Sequence, residues 1–325
     1  PPDPARRGAI FRKVAPNPAI GDSGAVAFRA NIEYLDPLDP VFLPTLKEDG
    51  LFLADASGIR LLAVADPALP DDPKGNSGTP DPFLRFRDPT VSTGRVAFRA
   101  ALGQIVTQRN GMFLADASGV APVAVEGDDL GGMTLTTLSG RAVQDASGAI
   151  TFPGKIRRPA KAEVGSILRR TGTAFSTIVE TGQLGPNGGK LRSLGRPAVS
   201  SNGHVAFRAS FEPFSGGAAG FLLATPNGIG MYMRVGEGAA ASVGGRLLSL
   251  NQNAALNASD QLAFIGTIGG GSARSAMFLA APTRLNVGSL AFRRGPAPAD
   301  VSTSLRPKDR ISVRSTLEPA LGLPR

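Results

Sequence analysis

The sequence has no cysteine, no tryptophan, one histidine (His204) and only two tyrosines in 325 residues. Without cysteine there can be no disulfide, no thiol catalysis and no thiolate-bound metal. A single imidazole excludes zinc hydrolase sites built from two or three histidines. Long apolar runs are missing as well. The longest uncharged stretch, 213–233, is broken by Pro226, Asn227 and several glycines, so it does not read as a membrane span. The motifs G-x-S-x-G and the P-loop are absent.

Glycine (41 residues) and proline (27) are abundant, which argues against a helical bundle, and apolar residues reach 42%, enough for a substantial core. The order within this composition is a repeat. Segments beginning near Asn17, Asp88, Arg141, Arg196 and Asn253 each lead into a phenylalanine. These are Phe28, Phe98, Phe152, Phe207 and Phe264, separated by 70, 54, 55 and 57 residues. A second element follows each, with Phe52, Phe113, Ile167, Phe221 and Phe278 as matching positions, and third and fourth apolar runs come after it. All the runs are short and bounded by Gly, Pro, Asn or Asp, the signature of strands joined by tight turns.

Four strands per unit of about 55 residues predicts an all-β chain, a five-bladed β-propeller. The blades fall near 17–70, 88–130, 141–185, 196–240 and 253–295. Because the fifth unit lacks a fourth run, the segment 8–14 is expected to complete that last blade and close the ring. Residues 1–295 then form the propeller, and 296–325 a basic, Pro- and Ser-containing extended tail. Tandem β-sandwich repeats are the competing architecture.

The run Ser201-Asn202-Gly203-His204-Val205-Ala206-Phe207 and its partial copies elsewhere resemble the bacterial tandem-repeat proteins with an Asn-x-x-Gly-x-x-Ala-Phe motif. The resemblance spans roughly residues 8–295. It implies a propeller, often in exported proteins, and no established activity.

Candidate sites are few. Arg29, Arg99 and Arg208 follow the repeat phenylalanine in three units, with Pro153 and Ile265 in the others. If these strands line a channel, three guanidinium groups would gather near one mouth and suit a carboxylate, phosphate or sulfate. Structural bonds to the next blade are the plainer reading. The acidic insertion holding Asp71, Asp72 and Asp81 offers oxygen ligands suited to Ca²⁺, although its Pro and Gly favour a solvated loop; no other cofactor is indicated. Asp55, Asp116 and Asp145, each two residues before a serine, read as Asx turns. His204 reads as a surface turn residue.

The first insertion carries Tyr34, Leu38 and Phe42, an apolar set suited to docking a partner or to folding over its own blade. The formal charge of +9 concentrates at the ends, with Arg306, Lys308, Arg310 and Arg314 in the tail. A localised basic patch suits an acidic protein or anionic surface better than nucleic acid.

Two functions remain open. The expected one is an exported, non-enzymatic binding or accessory scaffold, because the repeat strands themselves carry no Asp or Glu pair. The start Pro1-Pro2-Asp3-Pro4 and the absence of cysteine fit a processed, extracytoplasmic product. The alternative is a channel-mouth glycan hydrolase or lyase anchored by Arg29, Arg99 and Arg208.

Overall fold

The computed structural model describes residues 10–21, 23–35, 45–65, 83–103, 108–186, 188–212, 219–237, 245–270, 275–280, 290–294, 297–298 and 310–313. Its chain divides into two compact units, 1–280 and 281–325. All described secondary structure is β.

Unit 1 holds five antiparallel sheets in chain order. The first contains β1 (Ile10–Val14), β2 (Ala19–Ile20), β3 (Val26–Leu35), β4 (Thr45–Asp55) and β5 (Gly58–Ala65). The second is β6 (Phe83–Ser92), β7 (Arg95–Leu102), β8 (Arg109–Asp116) and β9 (Gly119–Val125). The third is β10 (Thr134–Leu138), β11 (Val143–Gln144), β12 (Ile150–Arg157), β13 (Val164–Thr171) and β14 (Ala174–Glu180). The fourth is β15 (Lys190–Val199), β16 (Val205–Glu212), β17 (Ala219–Thr225) and β18 (Gly228–Arg234). The fifth is β19 (Arg246–Leu256), β20 (Leu262–Gly269) and β21 (Ser275–Ala280). Unit 2 contains one sheet of β22 (Leu290–Arg294), β23 (Ala297–Pro298) and β24 (Arg310–Val313). The expected boundary at 295–296 therefore falls inside unit 2, and the expected extended tail includes paired strands.

Two expectations about strand phase are corrected. The segment 10–14 pairs with β3 of the first sheet, Phe11 opposite Ile32, and does not extend the fifth. Each phenylalanine strand is also the second of its sheet, flanked on both sides, because the run assigned to the end of one unit pairs with the next. The physical reason is proximity: a run a few residues before a strand closes a hairpin with it more readily than with a distant sheet.

Alternation decides how the sheets pack. Phe98 and Phe113 lie opposite each other on one face of the second sheet, clustered with Ala27, Leu51 and Leu53 of the first. On the other face of that second sheet, Ala97 and Met112 meet Phe152 and Leu168 of the third. Phe207 and Leu222 of the fourth sheet pack with Ile167 of the third, and Phe264 and Phe278 of the fifth with Ala206 and Phe221 of the fourth. The Ala-Phe dipeptide thus has a mechanical meaning. Alanine leaves room on one face for the ring that the following sheet presents.

This register also corrects the sequence alignment by one residue in two units. Phe152 pairs with Leu168 and Phe207 with Leu222, so Ile167 and Phe221 are equivalents of Leu51 and face the opposite way. A one-residue slip moves a side chain to the other face. Phe28 and Phe52 of the first sheet are covered by Phe11, and on the fifth Ile265 (45%), Met277 (78%) and Leu279 (67%) are exposed.

The second residue of β17 is glycine for a steric reason. A Cβ on Gly220 would overlap the Met233 carbonyl oxygen and stand 3.0 Å from Met231 Sδ. Because the obstacle is backbone of the paired strand β18, it cannot rotate away. Gly220→Ala is expected to destabilise the chain by about 1–3 kcal/mol, read as a shift in urea midpoint at constant slope. An unchanged midpoint would show that β18 yields freely.

Candidate active site

The first strand of the second, fourth and fifth sheets bulges at one recurrent place. The register shifts between Arg87 and Thr90, between Leu194 and Pro197, and between Leu250 and Ala254. Each bulge lies beside the arginine position of the neighbouring strand, as Arg87 pairs with Arg99. A bulge re-aims side chains and interrupts pairing. Asp88 within the second-sheet bulge has φ 51, and Gly140 at the equivalent place in the third sheet has φ 73.

Arg29, Arg99 and Arg208 occupy equivalent positions on the alanine-bearing faces, as the repeat predicted. Arg29 donates through Nη1 to the Phe86 carbonyl of the second sheet. Arg99 donates through Nη1 to the Leu138 carbonyl of the third at 3.3 Å, and through Nη2 to Asp88 at 3.1 Å. Phe86 and Leu138 are themselves equivalent, opposite Ala100 and Gly154. Two of the three arginines therefore staple one sheet to the next. The Nε atoms of Arg99 and Arg208 are buried without a hydrogen-bond partner.

Asp49, at the β4 position opposite Asn31, stands 3.9 Å from Arg29 of the adjacent strand in the same sheet. Burial raises its pKa above the ordinary carboxylate range, against the opposing pull of Arg29, the Phe86 backbone and Arg85. Arg87 is held below the usual arginine range by burial first and then by repulsion from Arg85 and Arg99. The seam between the first two sheets therefore combines a carboxyl that favours its proton with several closely spaced cations.

The remaining sequence candidates are placed as follows. Asp71, Asp72, Asp81, Leu38, Phe42, Arg306, Lys308 and Arg314 lie outside the described residues. Tyr34 is in β3 opposite Leu46, and Arg310 is in β24 opposite Arg293; their side chains are not described. Among the described residues no group of three His, Asp or Glu is placed to hold a metal ion, and no helix is long and apolar enough to cross a membrane.

The Asx turns appear as expected: backbone N–H groups of Ser57, Ser118 and Ser147 donate to Asp55, Asp116 and Asp145 at 2.9, 2.8 and 2.9 Å. His204 is more than a turn residue. Its Nδ1 lies 2.9 Å from Asp260 Oδ2, joining the fourth sheet to the fifth. Tyr232 donates to the Asp260 carbonyl at 2.5 Å, and burial, aided by the Asp260 charge, pushes its phenol pKa up to about 12.

The family model for DUF7453, a family of unknown function, matches residues 2–288. The chain belongs to this family. No curated protein matches it. Similar solved structures include the β-propeller domain of the trilobed protease from Pyrococcus furiosus, at 8% identity and TM-score 0.42, covering 84% of this chain and 82% of that one. A Hadza microbial sialidase shares 13% identity at TM-score 0.37, covering 81% of this chain and 58% of that one. The GH43_1 enzyme from Xanthomonas citri shares 13% at TM-score 0.36, with 90% and 92% covered.

The expectation of a non-enzymatic scaffold is not matched among these similar structures, two of which, the sialidase and the GH43_1 enzyme, are enzymes by name. The premise behind that expectation also fails in the structure. It counted acids only on the phenylalanine strands, whereas Asp49 and Asp88 reach the arginines from β4 and from the β6 bulge.

Proposed function

We propose that this DUF7453 chain is a glycan-active enzyme, a hydrolase or lyase whose substrate carries acidic groups. The observation that carries the reading is Asp49, a half-buried carboxyl with raised proton affinity set 3.9 Å from Arg29. A carboxyl whose burial favours the protonated form is the kind of group that serves as a general acid for a glycosidic oxygen. Arg29, Arg99 and Arg208 anchor the substrate. A guanidinium fixed by one carbonyl bond still has further donors in a rigid fork, which lowers the ordering cost of holding a carboxylate or sulfate. An exported setting, where such polymers lie, suits a chain without cysteine.

The finer architecture proposed is a five-bladed propeller, with the first-strand bulges at one mouth of its channel. Three of the four successive seams set a ring against an alanine face, at Ala27, Ala97 and Ala206, and in the remaining one Phe207 packs with Ile167. The two end faces, Phe28 of the first sheet and Ala263 of the fifth, are complementary members of that same pair.

A panel of uronate-containing, sulfated and neutral polysaccharides tests the reading through release of reducing ends or unsaturated products. Cleavage of an acidic polymer is expected. The Arg29→Ala/Arg99→Ala/Arg208→Ala variant should raise KM by about 10- to 100-fold, each lost charge-assisted contact contributing on the order of 1 kcal/mol. No turnover across the panel would remove the reading.

A further inference from the structure

Two more arginines stand at the starts of the third and fourth repeats. Arg141 follows Gly140 between β10 and β11, and Arg196 lies in the fourth-sheet bulge of β15. The two places touch, since a Cβ on Gly140 would lie 3.6 Å from Arg196 Cγ. Arg141 Nε is buried without a hydrogen-bond partner. Burial and then the Arg196 charge push the Arg141 pKa down, and Asp88 only partly opposes them. Asp88 is already committed to Arg99 at 3.1 Å. Arg196 donates through Nη1 to a neutral acceptor, Asn253 Oδ1, at 3.3 Å.

Two neighbouring guanidinium groups, one with a buried orphan donor, are an unfavourable arrangement in an empty protein. Like charges repel more strongly as water is excluded, and an unpaired buried donor loses its hydration. Folding stability alone would favour an acid or an apolar residue at either place. Sites that violate local stability rules in this way are where ligands bind.

We infer that Arg141 and Arg196 form an oxyanion subsite that clamps an acidic group, a carboxylate or sulfate ester, of the glycan chain at the junction of the third and fourth sheets. The inference rests on the proposed glycan reading and deepens it, since Asp49 stands at the seam of the first and second sheets. A polymer held at Arg141 and Arg196 would be bound through a residue other than the one cleaved. That arrangement suits an enzyme selecting for acidic groups along a chain over a single charged end.

Affinity electrophoresis through polygalacturonate, dextran sulfate and neutral dextran separates carboxylate, sulfate ester and uncharged polymer. The wild type is expected to be retarded by one acidic polymer and not by dextran. Arg141→Ala/Arg196→Ala should weaken that binding by about 10- to 100-fold, with Arg141→Lys/Arg196→Lys in between, because an ammonium cannot form the fork. The Ala variant should melt no lower than the wild type, as repulsion is relieved. Raised melting with millimolar sulfate, beyond chloride of equal ionic strength, should occur in the wild type and vanish in the Ala variant. Equal affinity of wild type and Ala variant for the acidic polymers overturns the subsite, whatever the turnover. Binding lost in the Ala variant, with no polymer ever cleaved by the wild type, upholds the subsite and removes the enzyme reading alone.

Discussion

Replacing Phe207 by alanine is expected to lower the unfolding free energy by about 3–5 kcal/mol. Its ring is fully buried between the fourth sheet and the third, in one cluster with Val205, Leu222 and Ile167. Removing it forfeits the transfer energy of the ring and leaves a cavity. The walls cannot collapse freely, because each lining residue is fixed in a hydrogen-bonded ladder, Phe207 against Pro197 on one side and Leu222 on the other. The same substitution at Phe28 should cost less than half as much, since that ring, beside Phe11 and Phe52, is only half-buried. Urea denaturation of the two variants decides the matter. Equal losses would mean that the end face is as well covered as the internal seams.

The contrast between these rings shows what a sequence can disclose of such a fold. The repeated Phe and the glycine before the next strand are visible because every unit must solve the same problem, a ring seated on its neighbour's small face. What repetition does not carry is phase. A run between two phenylalanine strands is equally spaced to serve either, and only pairing shows that Phe83–Ser92 belongs with Val96–Leu102. In two units a single residue also separates the correct register from the assumed one, and the apolar character of both Ile167 and Leu168 hides the difference.

The functional candidates divide along the same line. Arg29, Arg99 and Arg208 were legible because they recur at one register position. Arg141, Arg196, Asp88 and Asp49 were not. Residues at these places differ from unit to unit (Asp88, Arg141, Arg196, Asn253), so alignment treats them as loop variation. Asp49 lay within an insertion whose apolar residues drew attention to docking. Charge recorded along the chain as scattered becomes a cluster only when the sheets stack.

Asp49→Asn is expected to reduce turnover of an acidic polysaccharide by about 10²- to 10⁴-fold with little change in KM, the range for losing a positioned proton donor. The amide keeps the size of the side chain and can still accept from the Phe86 backbone, so Arg29 should hold its place. The pH profile identifies the role. A general acid works in its protonated form, so the wild-type rate should fall as pH rises through the raised Asp49 pKa, and this alkaline limb should disappear in the Asn variant. Stability shifts in the matching direction. Because the folded carboxyl holds its proton to higher pH than the unfolded one, the wild type loses stability as pH climbs from the ordinary carboxylate range through the folded pKa. The Asn variant has no such proton to lose, so its melting temperature should exceed the wild type's above that window and converge with it below. A variant with unchanged turnover, or one whose alkaline limb persists, would move the proton donor away from Asp49. The stability crossover would still stand as a measure of how strongly this seam resists a second charge.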